Sequence, residues 1–458
     1  MKLAILLSVL ATTFSLFSGP LDNAWIKGTT DKNPLFYKPG EKMTFTLELM
    51  DVDGQIPEGE YFIKWKRTDD IGTPFVTGVV PLTKEPFVYT TSLDKPGFVR
   101  IEAYVQDKKG ERYKRKFQGD DTTPEGQRAR NRFERKSNYI FFDGGAGVEI
   151  DTLTAKGEPE DFDEFWAKQF KRLDNVPFRE VLIEIPSIND KVRYYAVRID
   201  CAGVRPVTGY LSVPKAVDEG KTFPCRLLLH GYSADECVHK HAGFLPDEEI
   251  RLNINAHGLK LKEFGATDAD TKALLWEIRS NNHTYGFDPK QNADPESAYF
   301  NGMVLRVKRA LQYLKTLRGW NGRDLIAAGS SQGGLQAIWG AACGEGVTLA
   351  ESGVTWCCEI SRNNERKARK IATCGWYIDW VKALGYYDAT FFAKRIPKSC
   401  KVVIPRAGLG DYVCPPAGLA ILWNSLNCPK KIVWVQGSQH GYVPPAKYEG
   451  RDFEREVK

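Results

Sequence analysis

At 458 residues the chain is too long for one ordinary domain, and two or three are expected. Its 42% hydrophobic and 27% charged residues are the proportions of a soluble globular protein with an ample core. The net charge of +6 is small for this length, and without a basic helix or interleaved aromatic and basic residues it leaves no footprint for nucleic acid.

Residues 1–19 carry one early lysine, Lys2, then an apolar run from Leu3 to Phe17 and the small pair Ser18-Gly19. This is the pattern of a secretory signal peptide, so an exported protein, periplasmic or secreted, is expected. The run is short and interrupted for a membrane span, no later stretch is long and apolar enough to be one, and no cysteine near its end invites lipid modification.

Residues 20–145 read as all-β. Met43, Phe45, Leu47 and Leu49 alternate with polar residues, as do Tyr61, Ile63 and Trp65, and Val99, Ile101, Ala103 and Val105. Turn signals at Pro39-Gly40, Asp53-Gly54, Pro96-Gly97 and Lys109-Gly110 divide these runs, which predicts a small immunoglobulin-like sandwich. A spacer or packing role is expected for it, with sugar binding through aromatics such as Trp65 or Tyr89 as the alternative, although the alternation puts Trp65 in the core. The basic cluster from Arg112 to Lys136 reads as a solvated connector.

A second connector, containing Asp143-Gly144-Gly145 and Gly147, leads into residues 146–458. There Pro159 and Asp161 open a helix with Phe162, Phe165, Trp166, Phe170 and Leu173 on one stripe. Strands are predicted near 181–185, 192–199 and 207–213. The continuous Leu227-Leu228-Leu229 predicts a strand buried on both faces, where the sheet turns parallel. These elements predict an α/β unit, a mostly parallel sheet flanked by helices. The polar stretch from Phe264 to Tyr299, with Trp276, His283, Tyr285 and Phe287, is expected to form a lobe beside the pocket.

The apolar run Leu325 to Ala328, followed by Gly329-Ser330-Ser331-Gln332-Gly333-Gly334, has the form of a nucleophile elbow with Ser331 at its tip. A serine hydroxyl needs an imidazole base oriented by a carboxylate, in the chain order Ser, acid, His. His440 is the one histidine past Ser331, on the loop after a strand at 431–435. Three aspartates compete as the acid: Asp379 and Asp388 in a helical-looking segment, and Asp411 on the loop after the strand at 401–404, where the acid is required. The loop His230-Gly231-Tyr232 ends a parallel strand, so the Tyr232 amide is expected to serve as oxyanion donor with the amide of Gln332. His283 reads as a surface or structural histidine.

The elbow, Gly408-Leu409-Gly410-Asp411 with Cys414-Pro415-Pro416, the His230-Gly231-Tyr232 loop and Asp161-Phe162-Asp163-Glu164-Phe165-Trp166 together resemble the acetyl xylan esterase and cephalosporin-C deacetylase family, carbohydrate esterase family seven. The resemblance spans roughly residues 150 to 445. It implies a Ser331, Asp411 and His440 triad, a Tyr232 and Gln332 oxyanion hole, no metal or other cofactor, and removal of acetyl groups from carbohydrate. It also implies a homo-oligomer, commonly a hexamer, which an added β domain would block or reshape. Two departures bear on the pocket wall: Ala256-His257-Gly258 stands where the family has Arg-Gly-Gln, and Gly441 where it has Glu. The rival readings are a serine hydrolase of other specificity, such as a feruloyl esterase or peptidase, and a non-catalytic carbohydrate-binding protein on a hydrolase scaffold.

All ten cysteines lie at or after Cys201, an even number that allows disulfides without specifying pairs. Cys357-Cys358 reads as buried thiols. His239 and His241, flanking Lys240 near Cys237, do not have the spacing of a zinc site.

Overall fold

A computed structural model describes residues 19–136, 138–234, 245–369 and 376–458. Residues 1–18 of the expected signal peptide lie outside the described residues, as do Cys237, His239, Lys240 and His241.

The front unit is built from β1 (Trp25–Thr30), β2 (Met43–Met50), β3 (Tyr61–Asp69), β4 (Val76–Pro81), β5 (Phe87–Thr91), β6 (Gly97–Asp107) and β7 (Phe141–Val148). They form two antiparallel sheets, ordered β1-β2-β5 and β4-β3-β6-β7. Period-two alternation gives each strand one apolar face, and Phe45, Leu47, Ile63, Val99, Ile101, Val105 and Phe142 meet in a shared core. Trp65 packs at the edge of that core, 4.5 Å from Tyr89 and 5.7 Å from Phe87. Most of the basic cluster's second half is a solvent-exposed helix, α1 (Pro124–Lys136).

The expected division after residue 145 falls inside β7, whose pairing with β6 continues from Phe141 to Val148. The glycines of the expected connector are strand residues. Gly145 must be glycine, because a Cβ there would sit 2.2 Å from the carbonyl oxygen of Val99.

The second unit adds α2 (Phe162–Asp174), β8 (Glu180–Ile185), β9 (Val192–Ile199), β10 (Val207–Pro214), β11 (Phe223–Leu229), β12 (Ile250–Ile254), α3 (Asp268–Glu277), α4 (Tyr299–Thr316), β13 (Trp320–Ser330) and α5 (Gln332–Ala342). It continues with β14 (Leu349–Gly353), α6 (Asn363–Ala368), α7 (Ala389–Ala393), β15 (Lys401–Gly408), α8 (Pro416–Ser425), β16 (Lys430–Val435) and β17 (Asp452–Val457). One ten-stranded sheet results, ordered β17-β16-β15-β14-β13-β11-β12-β10-β9-β8. Its centre, from β12 through β16, is parallel; β8, β9 and β10 on one side and β17 on the other are antiparallel.

The central strand β11 corrects one expectation. Cys225, Leu227 and Leu229 are buried, but Arg226 and Leu228 on the opposite face are only half-buried. Arg226 pairs there with Glu249 and Glu351 at 2.9 and 2.6 Å, and Leu228 lines a cavity of about 360 Å³. An apolar run alone does not reveal which face a neighbouring element leaves open.

The two units are joined by specific packing. Phe98 of β6 stacks on Trp434 of β16 at 5.7 Å, and Phe141 of β7 meets Tyr442 at 4.8 Å. The side-chain amide of Gln436 both donates to the Gly145 carbonyl and accepts from the Gly145 N–H, each at 2.9 Å.

Candidate active site

Parallel strands present their loops at the carboxyl end of the sheet, and the singled-out residues follow β11, β12, β13, β15 and β16 there. Between β13 and α5, Ser331 has φ 59° and ψ −120°, a conformation that side-chain-bearing residues rarely adopt and that costs about 1–3 kcal/mol. Its neighbours hold it. The Ser331 N–H donates to Gly353 at 2.8 Å, and its carbonyl accepts from Trp356 at 3.1 Å and Leu335 at 3.0 Å. The flanking glycines are steric necessities: a Cβ on Gly329 would lie 2.5 Å from the Gly333 carbonyl carbon, and one on Gly333 would lie 2.1 Å from the Leu229 oxygen.

Asp411 is completely buried. Its Oδ1 accepts from the Val413 and Cys414 N–H groups, both at 3.0 Å, and its Oδ2 faces His440 Nδ1 at 2.9 Å. A carboxylate accepts only, so Nδ1 carries the ring proton and Nε2 is left with its lone pair. The His440 turn is closed by paired Gln439 and Tyr442 main chains, and Arg406 donates to the His440 carbonyl at 2.9 Å. The two competing aspartates are occupied elsewhere. Asp379 is an exposed partner of Lys367, while Asp388 caps α7 and accepts from the Glu359 and Ile360 N–H groups.

A profile of the family described as acetyl xylan esterase (AXE1) matches residues 150–454, two thirds of the chain. The chain belongs to the acetyl xylan esterase family. The acetyl esterase Axe7A of Xylanibacter ruminicola is 25% identical over 300 residues, which cover 63% of this chain; the chain spans 65% of that relative's length. Two solved structures share the fold. An acetyl xylan esterase from Paenibacillus sp. R4 superposes with a TM-score of 0.51 at 21% identity, covering 65% of this chain and 94% of its own. Acetyl xylan esterase 1 from Thermoanaerobacterium sp. JW/SL YS485 gives 0.52 at 18% identity, covering 66% and 94%. The fold class is thus an α/β hydrolase, in a family of carboxylic ester hydrolases.

In this family member Gln332 follows Ser331 and opens α5. As the first residue of α5 its N–H has no acceptor within the helix. Its buried side chain accepts from the Tyr285 hydroxyl at 2.9 Å and donates to the Gly231 carbonyl at 3.4 Å, tying the elbow to the His230-Gly231-Tyr232 loop. Tyr232 stacks on Tyr285 at 4.1 Å and also meets Trp356 and Trp376, so the polar 264–299 stretch packs on the loop after β11 through the buried Tyr285. His283 is exposed, and its main chain pairs with Ser280 of its own turn.

Two neutral histidines lock the loop from below. His230 Nδ1–H donates to the Gly231 carbonyl at 2.7 Å, and Nε2 accepts from the Ala256 N–H at 2.9 Å. His257 is fully buried; its Nε2–H donates to the Ser233 carbonyl and its Nδ1 accepts from the Tyr299 hydroxyl, each at 2.8 Å. Burial drives the His257 pKa down to about 3. Below its unfolded value of about 6.5, the unfolded chain takes a proton that the native state refuses, so stability falls as the pH drops. Between pH 7 and pH 5 this one residue is expected to remove about 2 kcal/mol, measured by urea unfolding of wild type against His257→Gln. Equal acid-side slopes in the two proteins would refute the assignment.

Among the described residues, Asp411, Cys414 and His440 are the one trio spaced within 4.8 Å for a shared metal ion. The donor set argues for hydrogen bonding instead, since both Asp411 oxygens already accept N–H groups. All eight cysteines among the described residues are free thiols, and burial raises both Cys357 and Cys358 well above the ordinary thiol pKa.

Two contributors lie outside the matched segment. A cavity of about 180 Å³ beside the histidine is lined by Asp411, Tyr412, Gln439 and His440, and also by Arg100 and Asp143 of the front unit. Burial pushes the Asp143 carboxyl up, against the downward pull of the Arg100 guanidinium that it faces. Glycines clustered inside a strand, Gly144, Gly145 and Gly147, were the available sequence signal of a close approach.

Proposed function

We propose that this chain is an exported serine esterase that removes acetyl groups from acetylated oligo- or polysaccharides. The observation that carries the reading is Ser331 at a strained elbow on the same sheet end as a buried Asp411 bonded to His440 Nδ1 at 2.9 Å. In this mechanism Ser331 Oγ attacks the ester carbonyl while His440 Nε2 takes its proton. Asp411 holds the imidazole in the required tautomer and stabilises the imidazolium. The N–H groups of Tyr232 and Gln332 receive the oxyanion of the tetrahedral intermediate. Collapse releases the sugar hydroxyl, protonated by His440, and leaves an acetyl-serine that water then hydrolyses by the same proton relay.

The acetyl preference is supported by the names of the relatives, an acetyl esterase and two acetyl xylan esterases. Export is supported by Lys2 and the apolar run to Phe17. No helix among the described residues is long and apolar enough to cross a membrane. Seven antiparallel strands in two sheets around one core support an immunoglobulin-like reading of the front unit.

The deciding experiment compares p-nitrophenyl acetate, butyrate and octanoate, then measures acetate released from acetylated xylo-oligosaccharides. Acetate is expected to be cleaved fastest. Preference for feruloyl or peptide substrates would move the chain to another serine-hydrolase specificity, and a folded protein inert on every ester would favour the carbohydrate-binding reading.

A further inference from the structure

Asp143 of β7 touches both loops that carry the acid and the base. Its main chain presses on the first: a Cβ on Gly410, the residue before Asp411, would lie 2.0 Å from the Asp143 carbonyl oxygen. Its carboxylate reaches the second, since Gln439, the residue before His440, donates from Nε2 to Asp143 Oδ2 at 2.8 Å. Arg100 of β6 fixes that carboxylate from behind with Nε on Oδ1 at 2.8 Å and Nη2 on Oδ2 at 2.6 Å. Glu102 adds a second carboxylate at 3.1 Å, and the guanidinium lies 4.2 Å over the ring of Tyr412, the residue after Asp411. Asp143 and Arg100 are only 1% and 5% exposed, so the pair is a buried strut rather than a surface ion pair.

We propose that Asp143, held by Arg100, is a positioning residue of the catalytic centre, setting the His440 turn against the Asp411 loop through Gln439. The front β unit is then a structural part of the active site and not a spacer. This rests on the Ser331, Asp411 and His440 reading. It lies in the part of the chain that the family profile, beginning at residue 150, does not cover. The physical reason is that a charge-assisted bond to a buried carboxylate is both stronger and more directional than a bond to water. The main-chain pairing and Arg406 keep the turn closed, so losing the bond to Asp143 lets the closed turn shift as a unit; its imidazole must stay aligned with Ser331, where a shift of about 1 Å costs on the order of 100-fold in rate.

Gln439→Met in the full chain keeps the side chain's length and removes the donor. Its kcat on p-nitrophenyl acetate is expected to fall about 10- to 100-fold, with KM within about threefold and the melting temperature little changed. Labelling of Ser331 by a fluorophosphonate, which needs no sugar or leaving-group recognition, should slow in parallel. Gln439→Lys returns a donor to the carboxylate and should recover most of the loss. A lower melting temperature with unchanged kcat per folded molecule would assign Gln439 a structural role only and overturn the proposal, as would an unaltered Gln439→Met enzyme. Wild type and Ser331→Ala are assayed alongside. Ser331-dependent activity with an unaffected Gln439→Met removes the positioning role alone, whereas an inert wild type removes the esterase reading and this proposal with it.

Discussion

Ser331→Ala is expected to leave a folded protein whose kcat on p-nitrophenyl acetate is lower by about 10^4 to 10^6. Alanine keeps the Cβ that serine already places at φ 59°, and the three main-chain bonds to Gly353, Trp356 and Leu335 do not involve the hydroxyl. The elbow's strain is therefore carried equally by both proteins, and unfolding should be unchanged. Loss of Oγ removes the atom that would form the acyl-enzyme, leaving only substrate binding and the two proposed oxyanion amides to act on attacking water. The checks are steady-state hydrolysis, fluorophosphonate labelling and a melting curve on the same samples. Activity within tenfold of wild type would remove Ser331 as the nucleophile.

Asp411→Asn is expected to cost about 10^4 in kcat through the wrong tautomer rather than through unfolding. The Val413 and Cys414 N–H groups both point at Oδ1, so the asparagine carbonyl must occupy that side. Its NH2 then faces His440 Nδ1, a position now filled by Oδ2 at 2.9 Å. Two N–H groups cannot face each other, so Nδ1 becomes the acceptor and the ring proton moves to Nε2. An imidazole protonated at Nε2 cannot take the Ser331 proton. Circular dichroism and a melting curve should show a native fold while the esterase assay shows the loss. A rate within tenfold of wild type would return the acid role to an open question.

Much of the site was legible because its chemistry is local. The elbow needs small residues two positions either side of the serine, and a Cβ at Gly329 or Gly333 would collide with neighbouring main chain, so the pattern is written in consecutive residues. His440 stood alone after Ser331, and its place beyond a strand followed from periodicity. Asp411 was separable from Asp379 and Asp388 by loop position, and the structure brings it alone of the three to the imidazole. The side-chain roles of Gln332 and Tyr285 were not legible, because a bond between residues 47 positions apart depends on how two loops meet.

The sequence by itself determined the change from all-β to α/β composition, the strand-turn-helix at Ser331 and the placing of Asp411 and His440 on loops after strands, since each depends on side-chain size or period within a few residues. Only the tertiary structure decided that β11 has one half-open face, that His257 is a buried neutral histidine, and that β7 runs through the expected domain boundary onto the loops of Asp411 and His440. Asp143 and Gln439 are 296 residues apart. Nothing in local propensity encodes a contact of that separation, because it is fixed by the packing of whole sheets, so a stretch rich in glycine reads as a connector until the strand it presses against is in view.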